Sequence, residues 1–252
     1  MENIKYENLT LSLDEETNSY TITRCEKDAV SVNIPKYINN IHIRKIDDYA
    51  FEKCTNLVTV TFPEYIIDEV AEDTALKEIG EYAFSGCTSL IEVDLPVTVW
   101  TIRQGAFHNC NSLIKCNFSS MAFVGSYAFY GCKSLIDLSY FSNAMEGVCS
   151  GCASLTYLPL QKSSSIISED AFEGCKSLTE ITIFKGIDTI EKLAFRSCHN
   201  LKKVTFENPN NWYWHSIYKR SDYPLDVSNP EENAKMLSRM DFDDGVGNIF
   251  RK

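Results

Sequence analysis

AFEGCKSLTEITI, Ala171 to Ile183, sets an alanine, a phenylalanine, a cysteine and a leucine at fixed offsets and runs out into an alternating apolar tail. The tail, with Leu178, Ile181 and Ile183 apolar, has the period of two of a short strand with one buried face. The part before it, A-F-x-x-C-x-x-L, spaces apolar residues three apart, as a helical or 3₁₀ turn does when it packs its inner side. A segment this short cannot bury both parts alone, so neighbouring segments must cover them.

Those neighbours are in the sequence. The block recurs at 49–62, 82–95, 105–118, 127–140, 147–160, 170–183 and 193–206, aligning Cys54, Cys87, Cys110, Cys132, Cys152, Cys175 and Cys198 at spacings of 33, 23, 22, 20, 23 and 23 residues. A solenoid coil takes about 20 to 29 residues. Four positions before the Ala-Phe pair stands Ile46, Ile79, Ile102, Val124, Ile167 or Ile190, which completes the unit I-x-x-x-A-F-x-x-C-x-x-L-x-x-I-x-L. Stacked coils lay like on like, so the strands are expected to form a parallel sheet over a continuous core.

From residue 41 to 207 this unit resembles the BspA-like class of leucine-rich repeat proteins, whose repeat reads I-x-x-x-A-F-x-x-C-x-x-L-x-x-I-x-(L/I)-P. The resemblance implies an α/β fold: a leucine-rich-repeat solenoid wound as a right-handed β-α superhelix of horseshoe shape, with short parallel strands on its concave face and helical or 3₁₀ turns. It implies capping strands over 1–40, seven repeats over 41–207 with an insertion at 63–78, and a C-terminal cap over 208–252. It further implies a recognition module of the cell surface, used in adhesion or host contact, with no catalytic residue, cofactor or metal ligand.

Composition bounds the rest. The chain has 252 residues, 44% of them apolar, and a formal charge of −11. An acidic surface disfavours phosphate backbones, so no nucleic-acid partner is expected, and no unbroken apolar window reaches the roughly 18 residues of a membrane span. The opening MENIKYENLTLSLDEE has an early acid and no apolar core of a signal segment. An export signal trimmed from the chain and an intracellular protein are both compatible with it.

The aligned cysteines read as small apolar core residues forming a ladder. Cys149 and Cys152 make a C-x-x-C, but Cys149 falls in the Phe slot of the fifth coil and Cys152 in the ordinary Cys slot. A redox pair at the start of a helix is therefore not expected. That coil is degenerate, with Ala144, Val148 and Cys149 replacing Ile, Ala and Phe, and either a local bend or a repacked core is expected there. In the insertion, Ile66, Ile67, Val70, Ala71 and Ala75 have helical spacing amid acids.

Register identifies the outward strand positions. One row is Thr59, Glu92, Lys115, Asp137, Tyr157, Glu180 and Lys203; the second is Thr61, Asp94, Asn117, Ser139, Pro159, Thr182 and Thr205. Solenoids use such faces for extended binding, so Glu92, Lys115, Asn117, Asp137, Tyr157, Glu180 and Lys203 are candidate contacts for a protein or glycan. Past Phe206, the cluster Trp212, Tyr213, Trp214, His215 and Tyr218 either plugs the last coil or offers a stacking platform on which Trp212 and Trp214 bind. Asn229, Pro230 and Glu232 mark a helix start, giving a helix over 230–240 that buries Ala234, Leu237 and Met240. His108 and His199 sit in surface turns with no nucleophile placed beside them. The expected protein is a monomeric, non-enzymatic recognition module; an intracellular scaffold of the same fold is the alternative.

Overall fold

The computed structural model describes residues 3–64, 75–216, 221–238 and 247–252. The chain is a β-solenoid in which each regular coil contributes two short strands. The first kind ends in the isoleucine of the unit: Glu78–Ile79, Thr101–Ile102 and Phe123–Val124 stack in parallel on the end of Ile41–Ile46. The second kind is the expected tail strand: Ser31–Asn33, Thr59–Thr61, Glu92–Asp94, Lys115–Asn117 and Asp137–Leu138 form a five-stranded parallel sheet. Alternation does the sorting, because Val60, Val93, Cys116 and Leu138 point inward and are buried while their strand neighbours face out.

Stacking starts before the first copy of the motif. Asn3–Tyr6, Leu9–Asp14 and Ser19–Cys25 form an antiparallel meander, and Ser19–Cys25 then pairs in parallel with Ile41–Ile46. Ser31–Asn33 pairs in parallel with Thr59–Thr61. Tyr20, Ile22, Val32 and Ile34 accordingly stand buried beneath the first coil.

The segment expected as a helical or 3₁₀ turn is neither. In the second coil, Ala83, Ser85 and Cys87 donate their N–H groups three residues back, to Gly80, Tyr82 and Phe84. The residues between them, Tyr82, Phe84 and Gly86, donate across to Gln104, Ala106 and His108 of the next coil at 2.7–2.9 Å. The same alternation runs from the first coil to the sixth. It requires a left-handed residue at every fourth position, which breaks any helix: Tyr49 and Lys53, Tyr82 and Gly86, Gly105 and Asn109, Tyr127 and Gly131, Gly147 and Gly151, Asp170 and Gly174, Leu193 and Ser197 all have positive φ. The corner between the two sheets is thus a third ladder of inter-coil hydrogen bonds. Among the described residues the one α-helix is Pro230–Ser238.

Inside, like stacks on like. Phe51, Phe84, Phe107 and Phe129 are fully buried with ring centroids 4.6, 5.2 and 5.5 Å apart, and Phe172 and Phe195 continue the row at 5.7 Å. Cys149 interrupts it. At that fifth coil both strand ladders also stop: the larger sheet ends at Phe123–Val124 and the five-stranded sheet at Asp137–Leu138. Single bridges, Phe141 to Leu160 and Ala144 to Ile167, span the gap before pairing resumes. Of the backbone ladders, the turn ladder passes through unbroken, with Tyr127, Phe129 and Gly131 bonded to Glu146, Val148 and Ser150, and Gly147, Cys149 and Gly151 bonded to Glu169, Ala171 and Glu173. The irregularity expected from Ala144, Val148 and Cys149 is therefore a loss of strand pairing.

The last coil is covered on both sides. Gly247–Arg251 pairs antiparallel with Thr189–Ile190, and Trp212–Ser216 pairs with Gly247–Arg251. The helix Pro230–Ser238, capped by Asn229 Oδ1 accepting from the N–H groups of Glu231 and Glu232, packs on Lys203–Phe206. Buried Asn233 donates to the carbonyls of Val204 and Val227 at 3.0 and 2.9 Å. Ala234 and Leu237 are buried as the spacing required; Met240, and Ile66 to Ala71 of the insertion, lie outside the described residues.

The turn ladder makes one glycine testable. Gly105 has φ of +61°, and a Cβ there would stand 2.3 Å from the ring of Tyr82. Gly105→Ala is expected to destabilise by about 2–3 kcal/mol, from roughly 1–2 kcal/mol of left-handed strain plus the clash. In a Tyr82→Ala background only the strain remains, so urea unfolding should show a smaller penalty there; equal penalties would refute the clash.

Candidate functional site

The outward rows of the five-stranded sheet are built by its register. Thr59 pairs with Glu92, Glu92 with Lys115, and Lys115 with Asp137, one per coil; Asp94 pairs with Asn117 in the second row. Adjacent rungs of a sheet lie about 4.8 Å apart, so these side chains form a fixed, evenly spaced polar strip. Much of it is tied to itself. Thr59 Oγ1 donates to Ser31 Oγ at 2.8 Å, Thr61 to Asn33 Oδ1 at 3.0 Å, and Asn117 Nδ2 to Asp94 Oδ1 at 2.6 Å. Glu92 and Asp137 are exposed and Lys115 is half-buried between them.

Glu180 and Lys203 lie in register in a separate two-stranded sheet beyond the break, their charged groups 3.6 Å apart. Tyr157 falls between the two groups. Its hydroxyl donates to the carbonyl of Leu138 at 2.7 Å and accepts the N–H of Leu138 at 2.8 Å, while its half-buried ring leans on Tyr140 with centroids 5.7 Å apart. A phenol here takes the place of a strand, satisfying both backbone groups where the ladder stops. Burial raises that phenol above its ordinary value.

Trp212 is 2% exposed, lies edge-on to Phe206 at 4.9 Å and donates Nε1–H to the carbonyl of Asn208. It fills the end of the core, away from the strand strip. The backbone of Trp214 pairs with Ile249 and Tyr223 in the terminal sheet, and its side chain lies outside the described residues, as do Tyr218, Lys219 and Arg220. Tyr213 is stacked on Phe250 at 6.0 Å, with the Lys252 ammonium 4.7 Å over its ring.

The cysteines do more than fill space. All ten are free and buried. The thiols of Cys87, Cys110, Cys132, Cys152 and Cys198 donate to the carbonyls of Phe51, Phe84, Phe107, Phe129 and Phe172 in the preceding coil at 3.1–3.2 Å, and Cys175 donates to Cys149, which holds the Phe slot. Each carbonyl already accepts an N–H within its own coil, so the weak S–H donor takes its second lone pair. Cys149 and Cys152 are rungs of this ladder; burial pushes both thiols up, away from the reactive thiolate. His108 is stacked on Tyr130 at 4.8 Å and sits edge-on to Tyr82, and burial holds it below its ordinary value. Among the described residues no group of three or more His, Cys, Asp or Glu is placed to hold a metal, and no helix is long and apolar enough to cross a membrane.

Two features escaped the sequence reading. The isoleucine of the unit anchors a strand, signalled by the polar residue before it, as in Glu78-Ile79 and Thr189-Ile190. The left-handed pairs were signalled by glycines at 86, 105, 131, 147, 151 and 174, four apart where they pair.

Two parallel strand ladders, a hydrogen-bonded corner and an exposed polar strip define a leucine-rich repeat solenoid of about eight turns. Within that class, the family model of the BspA type leucine rich repeat region matches residues 15–74, 66–147 and 145–235, so the chain belongs to this family. Among solved structures it is similar to a leucine rich repeat protein of T. pallidum, at 26% identity and a TM-score of 0.63 over 79% of this chain and 91% of that one. A leucine rich cell surface protein of Faecalibacterium prausnitzii matches at 24% identity and a TM-score of 0.69, over 91% of this chain and 60% of that one. No curated protein matches the chain.

Two outcomes follow. Tyr157→Phe removes both bonds to Leu138 and is expected to cost about 1–3 kcal/mol, with faster hydrogen exchange at the Leu138 amide than at Cys116; unchanged exchange would refute the bridging role. Burial raises the Cys87 and Cys198 thiols from 9.0 to about 12, so between these values the unfolded chain gives up protons that the folded chain keeps. Their stabilisation is complete below pH 9 and is lost as pH rises toward 12, by up to about 1.4 kcal/mol per pH unit and thiol. Denaturation at pH 8 and 10.5 should show this loss, smaller in Cys87→Ala/Cys198→Ala; an equal slope would assign it elsewhere.

Proposed function

We propose that this chain is a non-catalytic recognition module that binds a protein or glycan through the strand face carrying Glu92, Lys115 and Asp137, with Asn117 beside them and Glu180 and Lys203 beyond the break. The observation that carries this reading is the strip itself: charged and amide side chains held at strand spacing by a buried backbone, presented on the outside of a rigid stack. Such pre-ordering lowers the entropy lost on binding, and membership of a leucine-rich repeat family supports a binding role. In this reading the stack is a right-handed horseshoe with the strip on its inner curve, made of capping strands over 1–40, repeats over 41–207 including the 63–78 insertion, and a cap over 208–252, and it acts as a monomer. The site is the cell surface and the role adhesion or host contact, supported by the description of the Faecalibacterium prausnitzii relative as a cell surface protein.

A second reading, an intracellular scaffold, is favoured by the ten free thiols, since exported proteins live where thiols oxidise. Protease shaving of intact source cells separates the two. Peptides released before lysis support the surface role, and protection until lysis overturns it. Screening the purified chain against panels of proteins and glycans tests the face: Glu92→Ala, Lys115→Ala and Asp137→Ala together should weaken the ligand found by about tenfold or more, the size expected for losing central contacts. Unchanged affinity would move the site elsewhere.

A further inference from the structure

Beside the strand face runs a row that the repeat has no need to make apolar. The residue after the leucine of each unit is Val58, Ile91, Ile114 and Ile136 in the first four copies, then Thr156, Thr179 and Lys202. Val30 stands in line one coil earlier, and each N–H in turn bonds the preceding carbonyl: Val58 to Val30 at 2.8 Å, Ile91 to Val58 at 3.2 Å, Ile114 to Ile91 at 2.8 Å, Ile136 to Ile114 at 2.9 Å. Five β-branched side chains therefore sit at consecutive rungs, about 4.8 Å apart, over a length of roughly 19 Å. Val30, Ile91, Ile114 and Ile136 are 57%, 39%, 41% and 50% exposed, and Val58, between the first two, is half-buried. Scattered exposed apolar residues need no explanation, but an unbroken aligned row does.

The flanks differ. Toward the strands lie Glu92, Asp94 and Asp137 against the single cation Lys115; toward the turns lie Asn56, Ser89, Ser112 and Ser134, all uncharged.

We propose that this ridge docks an amphipathic α-helix of a partner protein, aliphatic on the face it lays along the row and carrying Lys or Arg on the flank toward the strands. Pitch decides for a helix. A helix along the row offers an apolar residue once per turn, about 5.4 Å, and drifts only about 0.6 Å per rung; an extended chain repeats its face every 6.7 Å or so and drifts about 2 Å per rung. The row spans about 13 helical residues, enough for anchors at i, i+3 or i+4, i+7 and beyond. Three carboxylates beside one ammonium select basic residues on that flank and disfavour acidic ones. The ridge stops where strand pairing stops, so the helix occupies the N-terminal half of the stack. This inference rests on the strand face being the recognition surface, and names the partner it takes there.

The test uses the full chain and a fluorescein-labelled peptide of about 14 residues, with Leu and Ile at helical spacing and Lys along one flank, read by fluorescence anisotropy at physiological salt. Wild type should bind it, and the same peptide with Glu for Lys, or with the sequence scrambled, should bind about tenfold more weakly or worse. Ile91→Ser/Ile114→Ser/Ile136→Ser should weaken binding to a similar degree, whereas Met121→Ser/Phe123→Ser, which removes exposed apolar residues elsewhere, should leave it unchanged. Ile114→Lys alone, a single exposed substitution, repeats the test if the triple variant unfolds. Failure of wild type to bind, retention by the ridge variants, or equal loss in both sets overturns the proposal. The two readings fail separately: if Glu92→Ala/Asp137→Ala weakens the panel ligand and the ridge variants do not affect the peptide, the ridge alone falls. If the ridge variants abolish peptide binding and the strip variants leave every panel ligand untouched, the strip reading falls.

Discussion

The structure depends on a division of labour among backbone N–H groups at one corner of each coil. Alternate residues of the A-F-x-x-C segment bond within their own coil and across to the next, and neither set can be satisfied without left-handed residues four apart. That alternation points Ala, Phe and Cys inward from a tight bend, so the phenyl rings of successive coils meet at 4.6–5.7 Å. It also brings each thiol under the carbonyl of the previous coil. The strands on either side follow from where this corner sends the chain.

The fifth coil shows which part is indispensable. Its Phe slot holds a cysteine, its Ile slot an alanine, and both sheets fall to single bridges around it. The corner nevertheless keeps every one of its cross-coil bonds through that coil, helped by Gly147 and Gly151 at the left-handed positions. Tyr157 then supplies from a side chain the two bonds that a missing strand would have made to Leu138. A stack with three ladders tolerates the loss of two because the third fixes the register of the next coil.

The repeat, its stacking and the tail strands were legible because apolar spacing reports burial directly: Leu178, Ile181 and Ile183 are 0%, 6% and 1% exposed. The corner was misread for a physical reason. Residues three apart face the same way in a 3₁₀ turn and in this alternating turn alike, and only the sign of φ separates them; Tyr49, Tyr82 and Tyr127 adopt positive φ with no compositional warning. The helix at Pro230 was legible from its cap, but buried Asn233 was not, since its amide is spent on the carbonyls of Val204 and Val227, one of them 29 residues away in sequence. The outward rows could be named from register alone. That Tyr157 is committed to Leu138 could not, because it depends on a strand being absent.

The interrupted sheets have a mechanical meaning. When the two ends of a solenoid are pulled apart along its axis, the load on any junction is borne by the bonds that cross it, and strand ladders opened in this direction peel one bond at a time. At the junction of the fourth and fifth coils the five-stranded sheet has shrunk to one bridge, and beside it the corner bonds from Tyr127, Phe129 and Gly131, the Ser154 N–H on the Lys133 carbonyl, the Cys152 thiol on the Phe129 carbonyl and the Tyr157 hydroxyl carry the tension. The molecule is thereby divided into two stiff segments of unequal length, and extension is taken up first at a defined place in the middle instead of at an end.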